Sequence, residues 1–177
     1  MDRLEAVDGN LIVLHQAADL LRRMDDATYA TAGDEDGRSP VGTHFRHVLD
    51  HYRSFLMGLP EGRIDYDARE RHGPVENNRS LALATVLGFL TDIGGIPRDL
   101  ASQPLTVSTR SVADRDDAPD WSHSSINREL QFLVSHTVHH YALIKHLLTH
   151  AGFDTGEDFG VAPSTIAAQR HAAECAR

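Results

Sequence analysis

The chain has 177 residues, of which 41% are hydrophobic and 24% charged, and its formal net charge is −9. This length predicts about one soluble globular domain, which we expect to cover residues 1–177. The negative charge argues against a nucleic-acid-binding surface, which requires a basic footprint, but it leaves small-molecule substrates open. The single cysteine, Cys175, allows no internal disulfide and fits a reducing compartment. With no apparent signal peptide and no apolar run of about 18 residues, we expect a cytoplasmic protein without a membrane partner.

Residues 3–24 predict the first helix, because apolar side chains recur every three to four residues. These side chains are Leu4, Val7, Leu11, Leu14, Ala18 and Leu21. A polar loop is expected to follow.

Residues 40–57 predict a second helix, with Ser39 as the N-cap and Pro40 in the first turn. It carries His44, His47 and His51, whose spacing places all three on one side of the helix. His44 is expected to lie closest to the apolar centre of the helix and His47 furthest from it. Any of the three could contribute to a metal site, and helical geometry does not choose among them.

Polar residues near these histidines have two interpretations. Asp50 could accept the second ring N–H of a coordinated imidazole, or form an i, i+4 surface ion pair with Arg46. In the charged segment 61–78, Tyr66 and Arg69 could line a substrate entrance, since a tyrosine hydroxyl and a guanidinium bind anions. The alternative for this segment is a solvated connection held by local ion pairs.

A third helix is predicted to begin near Arg79, capped by Asn77 or Asn78, and to break at Gly94-Gly95 with a short continuation to about residue 101. From Pro104 onward, side chains with a branched β-carbon alternate with other residues at a period of two, which predicts a strand. Residues 121–124 could pair with this strand as a small hairpin.

Residues 124–150 predict the longest helix, with an apolar stripe along one face. His136 and His140 lie at the edge of that stripe and should point into the protein, whereas His139 and the later histidines should face solvent. Imidazoles four residues apart can bind one metal ion, or simply form hydrogen bonds in the core. Thr137 stands where a zincin protease carries glutamate, which excludes that class.

Glu129 lies in the first turns of this helix, seven residues before His136. Its carboxylate could act near the metal as a general base or as a partner of a ligand. In the alternative interpretation, favourable pairing with the helix dipole is sufficient to explain why a carboxylate lies near the start of the helix. A short terminal helix is expected to begin near Pro163.

The segments SPVGTHFRHVLDHY and RELQFLVSHTVHHYALI resemble the histidine-bearing helices of the DinB/YfiT-like superfamily. Val41, His47 and Asp50 match the superfamily pattern in its second helix, and His136 and His140 match its H-x-x-x-H pair. The resemblance therefore favours His47 over His44 or His51 as the third ligand. It implies an all-α four-helix bundle with a small β-hairpin insertion before the last long helix, a short C-terminal helix, and one divalent ion held by three histidines.

The resemblance also implies a function. Relatives include metal-dependent thiol transferases, so we expect a metal-dependent transferase or hydrolase that activates a thiol or water for attack on a small electrophile. The alternatives are a non-catalytic protein that binds a divalent metal or a small ligand, for example with a role in a stress response, and a protein whose histidines are structural. Zinc, nickel or iron would suit imidazole ligands. Superfamily bundles often dimerise, so a homodimer is expected by analogy.

Overall fold

A computed structural model describes residues 4–33, 39–68, 73–113 and 118–175 of the chain. The described part is mostly helical, as predicted, with a small sheet. Its helices are α1 (Glu5–Arg23), α2 (Asp26–Thr31), α3 (Val41–Gly58), α4 (Arg79–Gly94), α5 (Ile126–His150) and α6 (Pro163–Cys175). None of these helices is long and apolar enough to cross a membrane.

The starts of the long helices follow from local chemistry. The Ser125 side chain accepts a hydrogen bond from the Arg128 amide at the start of α5, and Asn78 accepts one from the Leu81 amide at the start of α4. At α3 the predicted cap was wrong. Pro40 occupies the cap position without a side-chain bond, and the Val41 amide instead donates to the carbonyl of Ala32.

Four long helices surround the core. Helix α1 packs against α4 and α5, and α3 packs against the same two helices. The buried face of each is mostly apolar at helical spacing, which is why the sequence pattern predicted their positions. The largest fully buried side chains include Tyr29, Tyr52, Tyr141, Phe45 and Phe55.

Three short strands form one sheet, β1 (Arg63–Asp65), β2 (Pro104–Ser108) and β3 (Trp121–Ser125), in the order β1-β2-β3. The predicted hairpin is the antiparallel pair β2 and β3, in which Thr106 faces His123. Strand β1 pairs parallel to β2, so the expectation of an irregular loop was wrong for residues 63–65. Because the sheet ends directly at α5, the residues after β1 lie near the first turns of that helix.

Two other segments differ from the predictions. The region after α1 was expected to be a polar loop, but it contains α2, whose N-cap Asp25 accepts a hydrogen bond from the Thr28 amide. After α4 the chain turns at Gly95 and forms a single 3-10 turn at Arg98–Leu100, close to the predicted break and continuation.

Helix α3 touches neighbouring backbone near both of its ends. A Cβ atom at Gly42 would overlap the carbonyl oxygen of Glu76, and one at Gly58 would overlap the carbonyl oxygen of Arg63. Glycine is therefore required at both positions for the observed approach of the chain.

Candidate metal centre

The packing of α3 against α5 brings together the three histidines that the resemblance selected. Each of His47, His136 and His140 offers one ring nitrogen, and these nitrogens all lie within 4.8 Å of one another. The Nε2 atoms of His47 and His136 are 3.1 Å apart. All three side chains are half-buried, so they stand between the core and the surface.

This spacing suits one ion. With a zinc–nitrogen bond of about 2.0–2.1 Å, two ligands at tetrahedral angles have nitrogens about 3.3 Å apart. The His47–His136 separation of 3.1 Å is close to that value. The three side chains are thus close enough to hold one metal ion.

Burial keeps two of the three histidines uncharged. Removal from water is the largest cause that lowers the pKa of His136 to about 2, and the neighbouring His51 and His140 contribute to the same shift. Burial likewise lowers the pKa of His140 to about 4, with His44 as the next cause. Because neutral imidazoles keep a lone pair, both rings are ready to donate to a cation at neutral pH.

Hydrogen bonding in the core does not account for the whole cluster. The Nδ1 atom of His136 is buried and has no hydrogen-bond partner within the described ranges. Buried polar atoms normally have partners, and an unpaired one costs about 1–3 kcal/mol. His136 is therefore placed at an energetic cost, which is common for residues kept for a site rather than for stability.

The other two histidines of α3 flank the group. His51 is the most buried of the three, so the expectation that His44 lies nearest the apolar centre was wrong. His51 Nδ1 lies 2.9 Å from the carbonyl oxygen of His47, and its ring stacks on His136 with centroids 4.0 Å apart. The Nδ1 atom of His44 lies 3.2 Å from the Nδ1 atom of His140.

Asp50 belongs to an ion-pair cluster. Its carboxylate bonds Arg46 at 3.3 Å and Arg53 at 2.8 Å, and Arg46 also bonds Glu76 at 2.9 Å. The predicted pair with Arg46 exists, but the Asp50 side chain is only 5% exposed, so it is not a surface pair. Arg46, Asp50, Arg53 and Arg63 border a cleft of ≈ 670 Å³.

Tyr66 and Glu129 meet each other beside the histidines. Glu129 is only 2% exposed, and it accepts hydrogen bonds from the Tyr66 hydroxyl at 2.9 Å and from Ser124 Oγ at 2.5 Å. Burial, and then the nearby Glu129, raise the pKa of Tyr66 well above its usual value. Helix-dipole pairing alone is thus an inadequate explanation for Glu129, and Tyr66 is too buried to line an entrance. The remaining candidate, Arg69, lies outside the described residues.

Two contacts were not anticipated. The ring of Phe132 packs on His136 with centroids 5.6 Å apart and also meets Tyr66 at 5.3 Å. Its position one helical turn before His136 was a signal for this contact, because residues four apart share a helix face. Ser124 carried no comparable signal, since its contact with Glu129 depends on how β3 runs into α5.

His139, His146 and His150 are exposed, as predicted.

Comparison with known proteins adds one partial similarity. The chain is 33% identical over 104 residues to a curated protein called "FK506-binding protein 5" from Rhizopus delemar. The similarity covers 58% of this chain and 26% of that protein, so the chain spans about a quarter of its relative. No protein-family model matches the chain, and no solved structure matches it.

Proposed function

We propose that this chain binds one divalent metal ion through His47, His136 and His140 and acts as a metal-dependent enzyme on a small electrophilic substrate. The attacking group would be a thiol or a water molecule. The proposal includes membership of the DinB/YfiT-like superfamily and the four-helix bundle of that type.

The observation that carries the metal-binding part is the convergence of three half-buried ring nitrogens within 4.8 Å of one another. These nitrogens come from two helices that are distant in sequence, and burial keeps His136 and His140 unprotonated at neutral pH. Neutral imidazole is a preferred ligand of zinc, nickel and iron, all of which fit the donor set.

The fold supports the superfamily part of the proposal. Four long helices pack around one core, and the hairpin of β2 and β3 precedes the last long one. The histidines stand on the second and fourth of these long helices, α3 and α5, which is the placement that the resemblance implies.

The surrounding side chains define what the protein itself would contribute. A divalent ion supplies Lewis acidity, which lowers the pKa of a thiol or a water molecule. His51 and Phe132 pack on the ring of His136 and hold its orientation. The Tyr66 hydroxyl donates a hydrogen bond to Glu129 and its ring stacks on His51, so this pair fixes a proton near the site.

A second candidate function is non-catalytic metal binding. The observation that favours it is the presence of His51 and His44 directly against the three ligands. A fourth imidazole in the coordination sphere would close the site to substrate, as in structural zinc sites. FK506 binding, which belongs to the name of the relative, is not part of either proposal, because only about a quarter of that protein is matched.

The test is elemental analysis of protein purified without a histidine tag and incubated with zinc, nickel or iron(II). We expect about one equivalent of metal in the wild type and almost none in His47→Ala, His136→Ala or His140→Ala. The matched control is His139→Ala, which removes an exposed ring next to His140 and should keep the metal. A wild-type chain that remains metal-free would overturn the proposal.

The same samples separate the two functions. Thiol-transfer and hydrolysis screens on the loaded wild type should give turnover that each ligand substitution abolishes. Metal binding without turnover across these screens would favour the non-catalytic protein.

A further inference from the structure

His44 flanks the metal site without belonging to its three ligands. It lies one helical turn before His47 on α3, and its ring faces His140 across the interface with α5. It does not belong to the set of described side chains whose nitrogens all lie within 4.8 Å of one another. A position beside the ligand set suggests a role that acts through a ligand.

The contact between the two rings limits where their protons are. The Nδ1 atoms of His44 and His140 are 3.2 Å apart, which is the upper end of the range for a hydrogen bond. Two unprotonated nitrogens would repel at this distance, and two neutral rings with both Nδ1 atoms protonated would clash. One of the two nitrogens must therefore donate and the other accept.

Metal ligation selects the direction of this hydrogen bond. A neutral imidazole has one lone-pair nitrogen, so a ring that coordinates through Nε2 carries its proton on Nδ1. The Nδ1 atom of His140 is the one that faces His44, which leaves Nε2 for the ion. Histidine ligands almost always donate their second N–H to an acceptor that fixes both tautomer and ring orientation.

We propose that His44 is a positioning residue whose Nδ1 accepts the Nδ1–H of His140 and so holds the His140 ring with Nε2 directed at the metal. The inference rests on the metal site proposed above. It makes α3 the source of one ligand, His47, and of the group that orients a second ligand on α5. His44 itself does not touch the ion.

The test compares zinc dissociation constants, measured by competition with a chromophoric chelator, for the wild type and three variants. His44→Leu removes the acceptor, and we expect it to weaken zinc binding about 10–100-fold. His44→Asn places an amide oxygen near the position of Nδ1 and should restore affinity to within about threefold of the wild type. The control His139→Leu makes the same substitution at an exposed neighbour and should change nothing.

A second readout is independent of the variants. In long-range proton–nitrogen NMR spectra of the zinc-loaded wild type, His44 should be protonated on Nε2 and His140 on Nδ1.

Circular dichroism of the zinc-free variants should show unchanged helix content, so a loss of affinity would not reflect misfolding.

Three results would overturn the inference while leaving the metal site in place. They are equal zinc affinity in His44→Leu and the wild type, no rescue by His44→Asn, and X-ray absorption spectra that lose one imidazole ligand in His44→Leu. A wild-type chain that binds no zinc would instead overturn the metal site itself.

Discussion

Helix α3 carries two polar groups on neighbouring sides, and they are satisfied in different ways. On one side Arg46 and Arg53 both form ion pairs with Asp50, so each charge there has a partner of opposite sign. On the other side the ring of His47 is turned toward the rings of His136 and His140 on α5. In the first group the opposite charges pair with one another, whereas the second brings together three ring nitrogens that could hold one metal ion. The difference separates an ion-pair cluster from a candidate metal site.

The largest expected effect is on the ion-pair side. Asp50→Ala would remove the carboxylate that Arg46 and Arg53 share, while Arg46 keeps Glu76, and the loss of hydrogen bonds to a nearly buried charged group costs about 2 kcal/mol. Urea unfolding should show this loss, while metal content per folded chain stays the same. A loss of metal in the folded variant would mean that Asp50 supports the histidines and that the two sides are not separate.

Acid should affect mainly the histidine side. Because the pKa values of His136 and His140 lie at about 2 and about 4 in the folded state, the unfolded chain binds more protons once the pH falls below about 6.5. The free energy of unfolding of the metal-free protein should therefore be highest above that pH. It should decrease by on the order of 1 kcal/mol per histidine between pH 6.5 and 5.

The measurement is the urea midpoint of metal-free protein at several pH values. His136→Leu is the matched variant, since it removes one of the histidines with a lowered pKa and should show a smaller decrease. Equal pH dependence in both proteins would assign the effect to other groups.

Removal of His136 should raise the stability of the metal-free protein although it abolishes metal binding. Replacement by leucine eliminates a half-buried ring whose buried Nδ1 atom has no partner in the described part of the chain. We expect His136→Leu to stabilise the metal-free protein by about 1 kcal/mol, since an unpaired buried polar atom costs that much or more. A marked loss of stability in thermal unfolding would indicate that the histidine is structural.

The smallest effect is expected at the rim of the ion-pair cluster. The Arg53 side chain is 45% exposed, and Asp50 keeps Arg46 when Arg53 is removed. Arg53→Ala should therefore cost only about 0.5 kcal/mol in urea unfolding. A much larger loss would show that Arg53 and Arg46 act as one buried unit.

The sequence predicted what periodicity and spacing determine. Helices α1, α3 and α5 follow from apolar repeats, and the i, i+4 pair His136 and His140 follows from helical geometry. The selection of His47 came from the resemblance, and the close approach of these three rings agrees with it.

What sequence reasoning missed depends on contacts between distant segments. Strand β1 has only three residues, and its partner in β2 lies about forty residues later in the chain. The buried position of Glu129 depends on Tyr66 and Ser124, which approach it only after the sheet has formed. Local propensity carries no information on such pairings, because tertiary packing decides them.

The glycines near the two ends of α3 have a kinetic consequence. Gly42 and Gly58 let the helix approach the backbone at Glu76 and Arg63 directly, so a slide or tilt of α3 would disturb main-chain contacts near both of its ends. Exchange of an ion at the proposed site would then proceed by rotation of individual imidazole rings within a fixed frame. The residence time of the ion would depend on side-chain rotation and not on opening of the helix pair.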